Sequence, residues 1–322
     1  MKLLNRTLAA LALSALVATV AACGGSNSAP TTANGLTQIR VGVVPNATAV
    51  PVYLAQSQGY FAKHGLQVDI QKVAGGSEEL SRILSGDLAV GHNALVPAII
   101  AASKKLPIRI AQVGDMAPSS PDAPSIFGLV VNADSPVKDY SDLKGQNIAV
   151  NALGAAAELT VRKLLDQATG DPKSAQLLEV PYPSMLAALN ANRVAAAQLT
   201  EPFLSQAKAK GDRVISYPYV QATPGAEISC YVTGPRADPK VVAEFAAAIE
   251  EARKTAAADP ALVRSTIGSF TEIKGGALTT MTLPDFSQPR SSQADQGVAD
   301  DLKKYGFMDS AVKVDDLFVA KR

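Results

Sequence analysis

The chain has few of the side chains that carry most catalytic and metal chemistry. Its 322 residues include two histidines, His64 and His92, and two cysteines, Cys23 and Cys230. Nothing stands at metal-ligand spacing, so no structural or catalytic zinc site is indicated. A GxSxG nucleophile elbow, a Walker phosphate loop and an HExxH helix are absent as well. Excess charge of either sign is also missing, with 30 Lys and Arg against 29 Asp and Glu. That balance argues against a nucleic-acid partner. No cofactor and no metal are expected, and the chain reads as a protein without catalytic chemistry.

The N-terminus carries an export signal. Lys2 and Arg6 form a positive start, Leu8 to Val20 an apolar run, and Ala21 and Ala22 a small-residue cleavage site. The run is short for a membrane helix, which needs about 20 apolar residues. Val20, Ala21, Ala22 and Cys23 resemble a bacterial lipobox, which implies cleavage before Cys23 and a lipid on its sulfur; an ordinary cleavage site is the alternative. Cys230 then has no disulfide partner. Residues 24–35, GGSNSAPTTANG, have no charge and no large apolar side chain, and as a coil they reach roughly 20 Å. Residues 1–22 are therefore read as a signal peptide and 23–37 as lipid anchor and tether. The expected location is extracytoplasmic and anchored to the cell membrane, on the periplasmic side in a host with two membranes. Loss of Lys2 and Arg6 leaves 28 basic residues against 29 acidic ones.

Beyond the tether, two segments of similar layout follow at a spacing of about 105 residues. The first predicts strand 39–44, helix 51–64, strand 67–73, helix 77–85, strand 88–90 and helix 96–103. The second predicts strand 147–150, helix 155–168, strand 175–180, helix 184–191, strand 194–197 and helix 202–209. Leu84 and Leu189, Pro97 and Pro202, and Ala102 and Ala207 coincide at that spacing. Alternating strands and helices specify parallel sheets with right-handed crossovers, so two open α/β lobes are expected. Two β-rich runs, residues 126–132 and 227–233, read as hinge crossings between the lobes. Asp238-Pro239 and Asp259-Pro260 are helix start signals. The division expected is 38–127 for the first part of lobe one, 128–228 for lobe two, and 229–322 for the return to lobe one with C-terminal helices. The chain is expected to be a monomer.

In open α/β sheets ligands bind at loops leaving the carboxyl ends of strands. Those loops bring forward Asn46 and Thr48, then Gly76 and Ser77, then His92 and Asn93, and in the second repeat Tyr182 and Glu201. Each has a structural alternative. Asn46 stabilises its own turn or meets a ligand; Ser77 is a helix cap or a contact. His92 is a pH-sensitive contact or a strand-end structural group. Tyr182 stacks on a flat ligand or packs the rim, and Glu201 accepts from a ligand or from neighbouring amides. Glu78, Glu79 and Glu158 read as first-turn carboxylates that complement helix dipoles. Residues 41–62, 73–81, 91–103 and 149–161 hold no Lys or Arg, so a neutral, zwitterionic or amine-bearing ligand is expected rather than a bare sulfonate or nitrate.

Residues 40–70, RVGVVPNATAVPVYLAQSQGYFAKHGLQVDI, resemble the opening of substrate-binding proteins of bacterial ABC importers in the nitrate, sulfonate and taurine family, which also takes in thiamine-precursor binders. SPVKDYSDLKGQNIAV at 135–150, EPF at 201–203 and GVADDLKKYGFM at 297–308 agree with it. The resemblance spans about 38–322. It implies a type II periplasmic-binding-protein fold and an extracytoplasmic receptor that closes on a small organic ligand. It also implies delivery to an ABC permease driven by an ATPase. Gly154, Ala155 and Ala156 depart from the pattern, because the family often has a hydroxyl at this helix start; amides and the helix dipole remain for a polar group. A thiamine-pyrimidine-synthase-like enzyme of the same fold and a non-binding lipoprotein scaffold are the alternatives.

Overall fold

The computed structural model describes residues 31–319 apart from Ala33. The expected signal peptide, Cys23 and the first part of the tether lie outside the described residues. The first lobe opens with strand β1 (Thr37–Val43), helices α1 (Val50–Ser57) and α2 (Tyr60–Lys63), strand β2 (Leu66–Lys72) and helix α3 (Gly76–Ser85). Strand β3 (Val90–Ala94), helix α4 (Leu95–Ser103) and strand β4 (Arg109–Val113) follow. The second lobe contains β5 (Phe127–Val131), β6 (Asn147–Val150), α5 (Ala156–Thr169), β7 (Gln176–Glu179), α6 (Tyr182–Asn190), β8 (Ala196–Thr200), α7 (Phe203–Ala209), β9 (Arg213–Ser216) and α8 (Pro218–Ala222). The chain then gives β10 (Ser229–Thr233), α9 (Pro239–Ala258), α10 (Pro260–Phe270), α11 (Gly275–Thr280) and α12 (Ser292–Lys304).

These strands form two five-stranded sheets, ordered β2-β1-β3-β10-β4 and β7-β6-β8-β5-β9. Within each, the first three strands run parallel, as crossover helices require. One strand in each is antiparallel: β10 lies between β3 and β4, and β5 between β8 and β9. Residues 126–132 and 227–233 were expected to be the crossings themselves, yet they are mostly strand. Their apolar, β-branched runs are buried inside the sheets, and the polypeptide passes between lobes just before each of them. The result is a mixed α/β protein of two sheets.

Sequence and structure differ at identifiable points. The single helix expected over 51–64 breaks at Gly59, which is left-handed with φ 74° and ends α1. Strands β3 and β8 run further toward their carboxyl ends than read, so His92, Asn93 and Leu199 sit in strands rather than loops. Strands β4 and β9 and the short helix α8 were not anticipated. By contrast, Asp238 and Asp259 do cap helices, accepting from the amides of Lys240 at 2.8 Å and Leu262 at 2.9 Å.

Lobe one packs both faces of its sheet. Val41, Val43, Val52, Leu54, Phe61, Phe245 and Ile249 make one apolar cluster with α1, α2 and α9. Ile83, Leu88, Ile99, Ile110, Cys230 and Leu302 make the other, with α3, α4 and α12. Leu159 of α5 belongs to this second cluster, so a lobe-two helix is packed into lobe one. On the outer side of that contact Lys163 meets Asp301 at 2.6 Å and Lys304 meets Asp166 at 2.7 Å. Among the described residues no helix is long and apolar enough to cross a membrane.

One surface contact makes a pH-dependent contribution. His64, which caps the end of α2, sits between two carboxylates of α9, Nδ1 at 3.1 Å from Glu244 and Nε2 at 2.9 Å from Glu251. Lys63 shares Glu251 at 2.8 Å. Burial pulls the imidazole pKa down, but the hydrogen bonds to Glu251 and Glu244 outweigh it and leave the value raised. The paired imidazolium thus stabilises the fold fully below about pH 6.5, the unfolded value, and the contribution fades as pH rises through the folded value. Thermal melts of wild type and His64→Asn should differ most at pH 5–6 and converge toward pH 9; a constant gap across that range overturns the account.

Candidate functional site

The carboxyl ends of the parallel strands in both lobes, together with β4 and the entries of β5 and β10, define one edge of each sheet. This edge is where the expected site residues fall. Asn46 is exposed and caps a short 3-10 turn, its Oδ1 accepting from Thr48 N at 3.1 Å and from Thr48 Oγ1 at 2.6 Å. Thr48 Oγ1 lies 3.4 Å from His92 Nε2. His92 is 4% exposed, packed on Tyr231 with ring centroids 5.3 Å apart. Burial pushes its pKa down to about 4, so the ring is neutral near pH 7 and its charge does not switch there.

Asn93 points to the opposite face of β3. Its Oδ1 accepts from Ala94 N at 2.8 Å, and its Nδ2 donates to Glu79 Oε1 at 3.1 Å and to Gly76 O at 3.4 Å. Asn93 therefore fixes the start of α3 to the sheet, with Gly76 beside it and Ser77 exposed. Glu79 lies in the first turn of α3, as expected of a carboxylate that complements the helix dipole. It is fully buried, and a Cβ on Gly91 would collide with its carboxyl group. Burial raises its pKa to about 8, so at neutral pH it is mostly a carboxylic acid. The glycine at position 91 is what lets this side chain lie flat on the sheet.

In lobe two, Gly154, Ala155 and Ala156 open α5, with Gly154 at φ 71°. The chain itself supplies acceptors here: Gly154 N donates to Glu158 Oε2 at 2.7 Å, and Leu153 N to Glu179 Oε2 at 3.0 Å. The amides of Leu153 and Gly154, just before the N-cap Ala155, are thus already occupied. Tyr182 is half-buried at the start of α6, its ring nearly parallel to Phe203 at 6.3 Å, and burial raises its phenol pKa.

Glu201 is 6% exposed. One oxygen accepts from Ser205 N at 3.0 Å; the other accepts from Ser205 Oγ at 3.0 Å and from Thr282 N at 2.9 Å. Thr282 follows α11 in the C-terminal part of the chain, so this carboxylate ties lobe two to the segment that packs on lobe one.

The edge also holds groups the sequence reading passed over. Asp115 follows β4, Glu227 precedes β10, and the two segments lie side by side: Met116 bridges to Glu227, and Ile228 N donates to Asp115 O at 2.9 Å. Asp115 is fully buried and Glu227 is 4% exposed. The alternation in IRIAQV at 108–113 was the available signal for β4, and with it for Asp115 at its carboxyl end. Tyr219, stacked on Phe127 at 4.2 Å, lies close enough to both Tyr182 and Asp115 for their charges to raise its pKa further beyond the effect of burial. Tyr219 therefore lies near Asp115. Two open grooves of about 530 and 380 Å³ lie elsewhere, at the amino ends of the strands, lined by residues such as Arg40, Asp87 and Arg236 in lobe one and Asn132, Asn147 and Arg193 in lobe two. None of the expected site residues lines either, and the strand-end rule favours the opposite edge.

Two facing sheets with their carboxyl-end loops gathered at a double crossing define the class: a two-lobed α/β protein of the periplasmic-binding-protein type. The chain belongs to the NMT1/THI5-like family, whose model matches residues 46–262. It is 24% identical over 218 residues to a Brachyspira hyodysenteriae protein named as an ABC transporter periplasmic binding protein, covering 66% of this chain and 62% of that one. It is 32% identical over 99 residues to the 4-amino-5-hydroxymethyl-2-methylpyrimidine phosphate synthase of Aspergillus parasiticus, covering 30% of this chain and 27% of the enzyme. The chain thus spans less than two thirds of the length of either relative. Among solved structures it is similar to the periplasmic aliphatic sulphonate binding protein SsuA of Escherichia coli, with TM-score 0.72, 18% identity, and coverage of 88% of this chain and 92% of that one.

The Glu201 contact makes a prediction. Removing a buried acceptor of three hydrogen bonds leaves donors unpaired, at about 1–3 kcal/mol. Glu201→Ala should therefore lower the chemical-denaturation midpoint by an amount in that range, with Glu201→Gln falling between it and wild type. Wild-type stability in the alanine variant would show that the contact to Thr282 contributes nothing.

Proposed function

We propose that the chain is the solute receptor of an ABC importer: an extracytoplasmic protein, lipid-anchored through Cys23, that closes its two lobes on a small organic ligand and delivers it to a membrane permease with its ATPase. The observation that carries this reading is the pairing of two sheets whose carboxyl-end loops meet at a double crossing, the arrangement in which hinge bending encloses a ligand without chemistry. Membership of the NMT1/THI5-like family and the name of the Brachyspira relative support it. The lipid anchor rests on the run from Leu8 to Cys23, and the single-chain working state on the sequence reading alone.

A second reading, an enzyme of the pyrimidine-synthase kind, is favoured by the 32% identity to the Aspergillus enzyme over 99 residues. The two readings part on turnover. The full-length protein, unfolded and refolded to remove any copurified ligand, is melted against sulfonates, nitrate, bicarbonate, thiamine and its pyrimidine precursors, riboflavin, polyamines and amino acids. At 100 times its dissociation constant a true ligand adds about 2.7 kcal/mol, a rise of roughly 5–10 °C for a chain of this size. A rise with the compound recovered unchanged by mass spectrometry is the expected result. A new product would establish the enzyme reading, and no rise with any compound would leave a scaffold.

A further inference from the structure

Where the two crossings run side by side, two acids, Asp115 and Glu227, are buried with three of their four carboxylate oxygens unpaired. Asp115 accepts from Ser229 Oγ through Oδ1, while its Oδ2 and both carboxylate oxygens of Glu227 accept no hydrogen bond from the chain. Buried polar groups are almost always paired, and each exception calls for an explanation. The nearby cations do not supply one. Arg253, from α9, donates to Gly114 O at 2.8 Å and to Phe286 O and Gln288 O, and pairs with Glu250 at 3.2 Å. Arg290 lies between Asp295 at 2.7 Å and Asp315 at 2.8 Å. Asp295 in turn accepts from Glu227 N at 2.9 Å.

The remaining groups that face these acids are Asp285, Tyr219, Tyr231 and Cys230, none of them cationic. Neither crossing, residues 114–127 or 217–229, contains a Lys or Arg, and neither do the cleft-edge stretches 41–62, 73–81, 91–103 and 149–161. The acids therefore outnumber the cations at the one place where both crossings and both sheet edges meet. Without a cation they must hold protons. Burial does push Asp115 up to about 7 and Glu227 well above the usual carboxylate range. Among the described residues no group of three or more His, Cys, Asp or Glu is arranged to hold a metal ion.

On the receptor reading above, the geometry points to a cation subsite where the crossings run side by side, in which Asp115 and Glu227 take the protonated nitrogen of an amine or amidinium solute. The positive charge of the solute supplies what the three unpaired carboxylate oxygens lack. Binding draws protons off the acids, so cation affinity rises with pH through about 7, where Asp115 changes its charge.

The test is differential scanning calorimetry of the full-length protein with benzamidine and n-butylamine, beside their neutral counterparts benzamide and 1-butanol, and with methanesulfonate. We expect the cations alone to raise the melting temperature, by about 3 °C or more at pH 8 near saturation, with the rise shrinking by pH 6. Asp115→Asn and Glu227→Gln should each weaken cation affinity at least tenfold. Should a variant misfold, titration calorimetry of benzamidine into wild type at pH 6.5 in buffers of different ionisation enthalpy gives an independent reading: proton release is expected, and none overturns the subsite. Equal rises with benzamide and benzamidine, or unchanged affinity in both variants, overturn it as well. A rise with methanesulfonate and none with cations overturns the cation subsite while leaving a receptor, whereas silence from all these probes and from the wider ligand panel removes both.

Discussion

Each sheet is completed by a strand that reaches it across the hinge, and the rest of the molecule depends on that exchange. Strand β10 leaves lobe two and inserts antiparallel between β3 and β4; β5 leaves lobe one and inserts between β8 and β9. Each sheet thus takes its fourth strand from a segment arriving from the other lobe. The exchange also decides which residues meet at the cleft. An antiparallel strand enters its sheet at the edge where its parallel neighbours end, so the approaches to β5 and β10 join the loops after β1, β3, β4 and β8. Asp115 and Glu227 are adjacent for this reason alone, although 112 positions separate them in the chain.

Charge at that edge follows a single pattern. Carboxylates are plentiful and mostly used by the chain: Glu201 by Ser205 and Thr282, Glu158 and Glu179 by the amides before α5, Glu79 by Asn93. The cations beside it are paired within the chain, Arg162 with Glu158 and Arg253 with Glu250. A sulfonate approaching the α5 start would meet the Glu158 and Glu179 carboxylates that already hold the amides of Gly154 and Leu153. Similarity of fold to a sulphonate-binding protein at 18% identity therefore says little about ligand charge here. The polar groups of this edge, rather than the architecture, carry that information.

Much of the fold was legible in the sequence, because apolar periodicity and turn signals report local geometry. The strand at Asn147–Val150 and the helices after Asp238 and Asp259 fall where the pattern put them. The unread elements, β4, β9 and α8, are short and follow irregular connections, where four or five residues carry too little periodicity to separate strand from loop. Missing β4 meant missing Asp115. The burial of Glu79 went unread for a different reason: it lies four residues before buried Ile83 and so shares the inward face of α3. Long-range pairing was not legible at all. That Glu201 meets Thr282, or that Asn93 meets Glu79, depends on how distant segments dock.

Cys230 sits on β10, fully buried, between the two strands that β10 joins. Burial holds its thiol well above its usual pKa, and a protonated, inaccessible sulfur is chemically silent. Its alkylation therefore waits for β10 to come out of the sheet. The nucleus of the exchange thus contains its own clock: the labelling rate of this one sulfur, followed by peptide mass, times the opening of the strand that joins the lobes, separately from the melting of either lobe alone.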